Sequence, residues 1–384
     1  MSSSLSLGGS QREKTDHSDS MAVHFSANLI STAFSRKGER VQVGSRRDTC
    51  LLLALFAFVL VLLSGAPILS SVSDALDGDH LEHLVNDGPE STYSTAERTP
   101  HPSITIEGNA QFASMAQANG WPGAGSTSNP YVIAGLEIDV EAIGGSCITI
   151  KDTDVFFQIS DCLLTGATGA DSYGDACGIR LINVQNGDLL DNILPGNRIG
   201  IALGAPEQFD AVVESRFILI SGNDCSGSTK GIVLYGSSDN GIQENTCNDC
   251  GHGIEESQTF DVFTEQPVFS QRNVIQGNII DNAEHYGISA MASEQTWIGD
   301  NVIRRVLGIG VNLQDVTDAT LFHNVLLNNG ENARVESTQG GNSIDSNLWS
   351  DYTGDDLNYD GIGDTPYTGI TFDDQNPRIW LNGY

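Results

Sequence analysis

The chain has 384 residues, with 18 Lys and Arg against 50 Asp and Glu, which gives a net charge of −32. Residues 1–49 carry seven basic against five acidic side chains, whereas the remainder carries eleven against forty-five. So acidic a surface repels phosphate backbones and anionic headgroups, which argues against nucleic acid as a partner and favours divalent cations or basic partners.

The first hundred residues divide into three segments by composition. Residues 1–49 are rich in Ser and have no apolar period, which predicts a disordered cytoplasmic tail. Residues 50–70 begin with the apolar run Cys50–Ala66, and basic residues precede it, so the N-terminus is expected inside. We expect a single-pass transmembrane anchor here, with a cleaved signal peptide as the alternative. Residues 71–102 form an acidic linker.

Ordered structure is expected from residue 103 onward. Ile104–Ile106 alternates like a strand, and Asn109 is a suitable N-cap for a short helix ending near Ala118. Such a helix, placed ahead of a stack of coils, is expected to cover the exposed end of the first coil.

Two residue patterns then recur together along the chain. Asparagines recur at intervals of 31, 22, 33, 23, 23 and 23, and Gly-Ile pairs at intervals of 22, 31, 22, 34 and 21. The shared period of 22–23 residues, with in–out–in apolar triplets, predicts an all-β chain: one right-handed parallel β-helix over residues 103–384, with three short strands per coil and a C-terminal cap from about residue 348. The asparagines are expected to form a structural ladder at one corner. They are Asn192, Asn223, Asn245, Asn278, Asn301, Asn324 and Asn347, and the Gly-Ile pairs start at Gly178, Gly200, Gly231, Gly253, Gly287 and Gly308.

Two coils are longer than the rest, and both insertions fall in the same turn. The inserted loops, residues 204–213 and 257–271, are expected to project from one side as two walls, which is a common position for a binding face. The alternative is that the loops only pack on each other. The predicted groove is acidic with aromatic walls and comprises Phe209, Asp210, Tyr235, Asp239, Glu255, Glu256, Phe260, Asp261, Phe263 and Glu265.

Two further patterns concern metals and thiols. Alternating oxygen side chains before a Gly suit a hard cation, so Ca²⁺ is a candidate ligand of Asp356, Asn358, Asp360, Asp364 and the Ile362 carbonyl. A turn of the same composition without metal is the alternative, since the bidentate Glu of an EF-hand is absent. Cys225 and Cys247 occupy equivalent positions in successive coils, which favours a disulfide or a pair of inert stacked thiols.

Three stretches of the chain resemble the NosD-type family of right-handed β-helix proteins, a group also described as carbohydrate-binding proteins and sugar hydrolases. They are the entry Gly120-Trp121-Pro122-Gly123 to Asn129-Pro130-Tyr131, the Gly-Ile and Asn marks, and the closing segments Asn347–Gly354 and Asp360–Tyr367. The resemblance implies an exported β-helix. The family's namesake helps to mature a copper centre, but this chain lacks a Met/His/Cys cluster suited to soft copper.

Together these patterns predict a cell-surface β-helix, extracellular or periplasmic, that binds a polysaccharide or a surface protein without catalysis. A calcium-dependent polysaccharide lyase or hydrolase is the first alternative. The motif Gly251-His252-Gly253 resembles one found in polygalacturonases, but the companion motifs of those enzymes are missing. A NosD-like copper-site maturation factor is the second alternative.

Overall fold

The computed structural model describes residues 97–208, 214–261, 265–336 and 340–379. They belong to one compact unit, Asp87–Tyr384. The predicted tail and apolar segment, and nearly all of the predicted linker, lie outside the described residues. Among the residues that are described, no helix is long and apolar enough to cross a membrane.

The described residues form one helix and many short strands. The first elements are β1 (Thr99–Pro100), β2 (Ile104–Glu107), α1 (Gly108–Asn119), β3 (Tyr131–Ala134), β4 (Leu136–Asp139), β5 (Ile148–Thr153), β6 (Phe157–Ser160), β7 (Leu163–Thr165), β8 (Ala170–Asp171), β9 (Gly174–Asp175), β10 (Cys177–Leu190), β11 (Ile199–Leu203), β12 (Glu207–Gln208), β13 (Arg216–Ser221), β14 (Lys230–Tyr235), β15 (Gly241–Gln243) and β16 (His252–Ser257). The rest are β17 (Thr259–Asp261), β18 (Gln266–Val268), β19 (Ser270–Gln271), β20 (Val274–Gln276), β21 (Ile279–Asp281), β22 (Tyr286–Met291), β23 (Ser293–Glu294), β24 (Trp297–Gly299), β25 (Val302–Arg304), β26 (Ile309–Gln314), β27 (Thr320–Phe322), β28 (Val325–Leu327), β29 (Glu331–Glu336), β30 (Ser343–Asp345), β31 (Leu348–Trp349), β32 (Tyr367–Thr368) and β33 (Asp373–Asp374).

The strands stack into three parallel sheets around one apolar core, which confirms the predicted parallel β-helix. Sheet 1 contains β2, β5, the first half of β10, β11, β14, β16, β22, β26 and β29. Sheet 2 contains β3, β6, the second half of β10, β13, β15, β20, β24, β27 and β30. Sheet 3 contains β1, β4 and β7, then β21, β25, β28 and β31, joined through single bridges.

The recurring asparagines form the predicted ladder. Each is at most 1% exposed, and each of the first six donates its backbone N–H and its side-chain Nδ2 to the Oδ1 of the next asparagine. At the C-terminal end Asp374 replaces the next asparagine, because its carboxylate accepts the backbone N–H of Asn347 at 2.9 Å and Trp349 Nε1 at 2.9 Å. The ladder therefore satisfies buried corner amides that would otherwise lack partners.

The glycine marks are required by close contact between coils, with one correction. A Cβ at Gly200 or Gly231 would lie 2.6 Å or 2.5 Å from the carbonyl oxygen of the next coil. The mark expected at Gly308 is wrong, because Gly310 occupies this column and Ile309 pairs with Tyr286 on the outside. The coil from Gly287 to Gly310 is 23 residues long, so the Gly-Ile pair at 308 comes two residues early.

Both ends of the described stack carry aromatic side chains. In α1, Phe112 is fully buried, and its ring lies 5.0 Å from that of Tyr131. At the other end, Trp349 stacks on Tyr367 with ring centroids 4.3 Å apart and Phe372 beside them. The predicted helix is present as Gly108–Asn119 and contacts β2 and β5. The prediction of Asn109 as its N-cap is wrong, because the N-cap is Glu107 and Asn109 lies inside the first turn.

Candidate functional site

The two inserted loops form one small sheet instead of two separate walls. Strand β12 pairs in parallel with β17, and β17 pairs antiparallel with β18. Thr259 Oγ1 donates a hydrogen bond to the Ala205 carbonyl at 2.7 Å, which ties the loops together at their base. The loops do leave the same turn, as predicted, but they pack on each other, so the space expected between them is filled.

The residues of the predicted groove consequently separate. Tyr235 and Glu255 lie on the outer face of sheet 1, while Asp239 lies at a corner and accepts two bonds from Arg272, of 2.6 and 2.8 Å. Three others lie on or beside the paired loops, namely Phe260, Asp261 and Glu265. Phe209, Asp210 and Phe263 lie outside the described residues.

Glu256 points into the core, which corrects its placement in the groove. It shares an inward column with Leu234 and Ala290, and it is fully buried. Its carboxylate accepts hydrogen bonds from Asn273 Nδ2 at 2.6 Å and from Thr296 Oγ1 at 2.7 Å. Burial raises the pKa of Glu256, although these bonds partly oppose the rise. The carboxyl is therefore a structural group, since no ligand reaches it from outside.

A connected set of polar side chains lies instead on the outer face of sheet 1. In-register parallel pairing aligns equivalent residues of successive coils into two neighbouring columns along the axis. The contacts between the columns show that both face outward, although His252 and Glu255 are three residues apart in the same strand. We call this set the polar row, and it consists of Lys230, His252, Glu255, Tyr286, Ser289 and Asn312.

Glu255 connects the members of the polar row at its centre. Its Oε2 lies 2.9 Å from Lys230 Nζ and 3.2 Å from His252 Nδ1. The His252 ring makes edge contacts with Tyr286 at 5.2 Å and with His285 at 5.3 Å between centroids. These contacts surround the imidazole, and 22% of the His252 side chain stays exposed.

Neighbouring groups keep Glu255 ionised despite its burial. Burial alone raises its pKa, but the adjacent His252 ring and the Lys230 charge lower it more, so the net pKa is lowered. The carboxylate side chain is 6% exposed, whereas those of Lys230 and His252 are 25% and 22% exposed. The arrangement therefore has a buried anion at its base and two accessible nitrogen donors above it.

The same face is covered toward the N-terminus. Cys177, Ile199, Ala202 and Val233 point outward from sheet 1 yet are at most 1% exposed, and Tyr235 packs with them. The hairpin of β8 and β9 lies over this part, where Tyr173 packs on Ile182 and Ala205. Burial raises the pKa of the Tyr235 phenol well above its usual value, and Glu255 adds to the rise.

The predicted calcium ligands lie in one loop that closes on its own hydrogen bonds. Asp356 Oδ2 accepts the Gly361 N–H at 2.9 Å, Asn358 Oδ1 accepts the Asp360 N–H at 3.0 Å, and Asp364 Oδ2 accepts the Leu357 N–H. Ile362 is 38% exposed and donates its N–H to Asp360. Calcium binding by this loop stays a prediction.

The cysteines differ from the predicted disulfide. Cys225 and Cys247 stack in successive coils, as expected, but both are free thiols buried in the core. The thiol of Cys247 interacts with that of Cys225, and this contact together with burial raises its pKa. The pair therefore fits the alternative of inert stacked thiols.

These features define the class of protein as a parallel β-helix with an asparagine ladder inside and a polar row outside. The family model described as "Periplasmic copper-binding protein (NosD)" matches residues 140–369. The chain belongs to the NosD family, as its closing segments predicted.

Several solved structures share the fold at low identity. A mutant of the periplasmic alginate epimerase AlgG is 14% identical, with 64% of this chain and 58% of that chain covered and a TM-score of 0.44. The catalytic unit of a GH87 α-1,3-glucanase from Streptomyces thermodiastaticus is 12% identical, with 56% and 46% covered and a TM-score of 0.36. A mutant tailspike protein of E. coli bacteriophage HK620, in complex with pentasaccharide, is 9% identical, with 57% and 41% covered and a TM-score of 0.36. The chain spans less than two thirds of each, and the likeness is one of fold. No curated protein matches the chain.

The family description names copper, and the described residues do not fit a centre for it. Soft copper prefers thiolate, thioether and imidazole ligands. All six described cysteines are buried, and burial raises the pKa of Cys177 to about 12, which keeps it a thiol. Within the described ranges, no group of three or more His, Cys, Asp or Glu side chains is arranged to hold a metal ion.

Proposed function

We propose that this chain is an exported β-helix module that binds a polysaccharide along the polar row. The observation that carries the proposal is the cluster of Lys230, His252 and Tyr286 around the buried Glu255 carboxylate. A sugar presents an apolar face and a rim of hydroxyls. The half-buried rings of His252 and Tyr286 suit the face, and the charged groups, fixed by each other, suit the hydroxyls.

The proposal also covers where the module works. The family description is periplasmic, and basic residues precede the apolar segment 50–70. We therefore propose that segment 50–70 anchors the chain in the membrane, with the β-helix on the outer side. A surface protein bound through the paired loops is a less favoured alternative, because Phe260 is the one described apolar side chain of the pair that is strongly exposed, at 43%.

The test is affinity electrophoresis of the purified full-length chain through alginate, homogalacturonan, hyaluronan and pullulan. His252→Ala and Tyr286→Ala should each weaken retention about tenfold, which is the loss expected for one buried ring contact. His323→Ala is the matched control, since His323 is 24% exposed and lies 3.7 Å from a carboxylate, that of Asp300, on another face. Retention that is absent for all four polymers, or unchanged by both variants, would reject the proposal.

A second function is favoured by one specific contact. Glu255 holds His252 by Nδ1, which is how a carboxylate orients an imidazole for proton transfer through Nε2. The same row could therefore carry out proton transfer on a bound polysaccharide, as in a lyase or hydrolase. To test this, the protein is incubated with each polymer and new polysaccharide chain ends are measured. New chain ends that are lost in Glu255→Gln, while retention persists, would establish an enzyme. Retention without new chain ends would support a binding module without catalysis.

A further inference from the structure

The outer face of sheet 1 is blocked at one end and open at the other. Strand β14 is the border, because in one column Ile199 of β11 is 1% exposed whereas the side chain of its partner Lys230 is 25% exposed. Directly N-terminal to β14, the outward residues Cys177, Ile199 and Ala202 are apolar and covered. On the C-terminal side the column of Lys230 continues through His252 and Tyr286 to the buried Ile309 and then Glu331. The column of Glu255 continues through Ser289 and Asn312, which are 0% and 4% exposed, to Arg334, whose side chain is 40% exposed.

The block is the hairpin of β8 and β9, and it is firmly held. Arg180 points outward beneath it and is fully buried, with Nε 3.1 Å from Asp171 Oδ2 and one terminal nitrogen 3.0 Å from the Gly204 carbonyl. Arg180 also donates to the Asp175 carbonyl in the hairpin. Lifting the hairpin would remove two of the three hydrogen-bond partners of this guanidinium, Asp171 and the Asp175 carbonyl, and leave only the Gly204 carbonyl, which is unfavourable. The hairpin is thus a fixed wall.

Tyr235 completes the wall where it meets the polar row. It is 8% exposed and packs with Val233 and Ala202 on the covered side, and β16, the neighbouring strand in the next coil, carries Glu255 and Ser257. From β14 to β29 the open strip crosses β16, β22 and β26, which is four intervals of about 4.8 Å, or roughly 19 Å.

We infer that the polar row takes the end of a polysaccharide chain and not an internal segment. This inference rests on the proposed function. The row runs along the helix axis, so a linear chain that contacts Lys230, His252 and Tyr286 in succession points at the hairpin. Because the hairpin occupies the path beyond β14, the polymer must terminate there, and the remainder leaves past β29.

Stoichiometry tests this directly. The full-length chain is titrated with a short and a much longer narrow fraction of each of the linear polymers alginate, homogalacturonan, hyaluronan and pullulan, and bound protein per polymer chain is measured at saturation by light scattering. End binding predicts one protein per chain for both lengths. Internal binding predicts a number that rises in proportion to length, and that result would overturn the inference while leaving the proposed function intact.

Two controls distinguish a failure of the end-binding inference from a failure of the proposed function. His252→Ala should raise the protein concentration needed for saturation about tenfold in both fractions, whereas His323→Ala should not, which assigns the signal to the polar row. Reducing and non-reducing ends are then blocked separately on the polymer that binds, and one blocked end should lower affinity at least tenfold. Equal affinity for both blocked forms and the unmodified polymer would contradict end binding, and no binding by any fraction would reject both the inference and the proposed function.

Discussion

Replacing Asn245 with alanine should lower the free energy of unfolding by about 3 kcal/mol. Asn245 Oδ1 accepts the backbone N–H and the Nδ2 of Asn223, both at 3.0 Å, and Asn245 Nδ2 donates to the Ile220 carbonyl and to Asn278 Oδ1. After the change, Asn223 Nδ2 keeps its bond to the Leu189 carbonyl, but the Asn223 backbone N–H loses its side-chain acceptor. A buried donor left unpaired costs about 1–3 kcal/mol, and the other lost bonds add about 1 kcal/mol.

An isosteric variant separates hydrogen bonding from volume. Asn245→Asp keeps the oxygen that Asn223 needs, but it places a second oxygen against the Ile220 carbonyl and Asn278 Oδ1, where Asn245 Nδ2 now donates. The loss should therefore exceed that of the alanine variant, because a buried carboxylate would face two acceptors. Gln117→Ala on the exposed side of α1 is the control and should stay within about 0.5 kcal/mol.

The assay is guanidinium unfolding followed by circular dichroism, with hydrogen exchange at the Asn223 amide as a local readout. Exchange at this amide should accelerate in Asn245→Ala even under native conditions, since coils of a solenoid open locally. If the alanine variant unfolds within about 0.5 kcal/mol of wild type and the exchange rate is unchanged, the ladder does not stabilise the stack and the reasoning fails.

Three more outcomes are expected. Burial raises the folded-state pKa of Glu256, so the stability that this group contributes is full below the ordinary Glu pKa and is lost as pH rises through the raised value. The difference in unfolding free energy between wild type and Glu256→Gln should therefore shrink over that pH window. A difference that does not change with pH would contradict this prediction. Burial raises the pKa of Cys147 to about 12 and of Cys162 to about 11, so a thiol reagent near pH 8 should leave both unlabelled until the chain unfolds, as mass spectrometry would show. If the loop from Asp356 to Asp364 binds calcium, a chelator should lower the unfolding midpoint in wild type but not in Asp356→Asn, whereas no shift would rule the site out.

The repeating part of the fold could be predicted because the same physical demand recurs in each coil. A corner that must hydrogen-bond the coils on either side selects Asn, and a strand that must touch the next carbonyl selects Gly. The register error at Gly308 arose because this glycine is also in close contact with a backbone carbonyl, that of His285 in the preceding coil, and only the pairing of Ile309 with Tyr286 shows that it lies outside the column of marks.

The site was harder to predict, because it depends on contacts between side chains that belong to two different columns on the outer face of sheet 1. The in–out–in pattern already places Glu255 outside and Glu256 inside, so the alternation could have excluded Glu256 from the groove. His252 was noted only within the motif Gly251-His252-Gly253 and Lys230 only as a possible base of a lyase, and their grouping with Glu255 and Tyr286 was not predicted. Lys230, His252 and Tyr286 each directly precede the glycine of a mark, and this position points outward, but nothing in the spacing shows that Glu255 joins them. The pairing of β12 with β17 could not be predicted either, because the inserted loops lie outside the repeat and their sequences show no periodic pattern.

The replacement of the next asparagine by Asp374 gives the stack a polarity. From Asn192 onward every rung donates in one direction, so the amide dipoles add head to tail, and the final donors meet a negative charge. A coil duplicated upstream of Asp374 would contain an asparagine with both a donor and an acceptor, so it would extend the ladder. A coil added beyond Asp374 would contact a carboxylate side chain, which has no N–H to donate to the next rung of the ladder. Asp374 therefore acts as a stop signal, and relatives of different length should differ by whole coils inserted upstream of it.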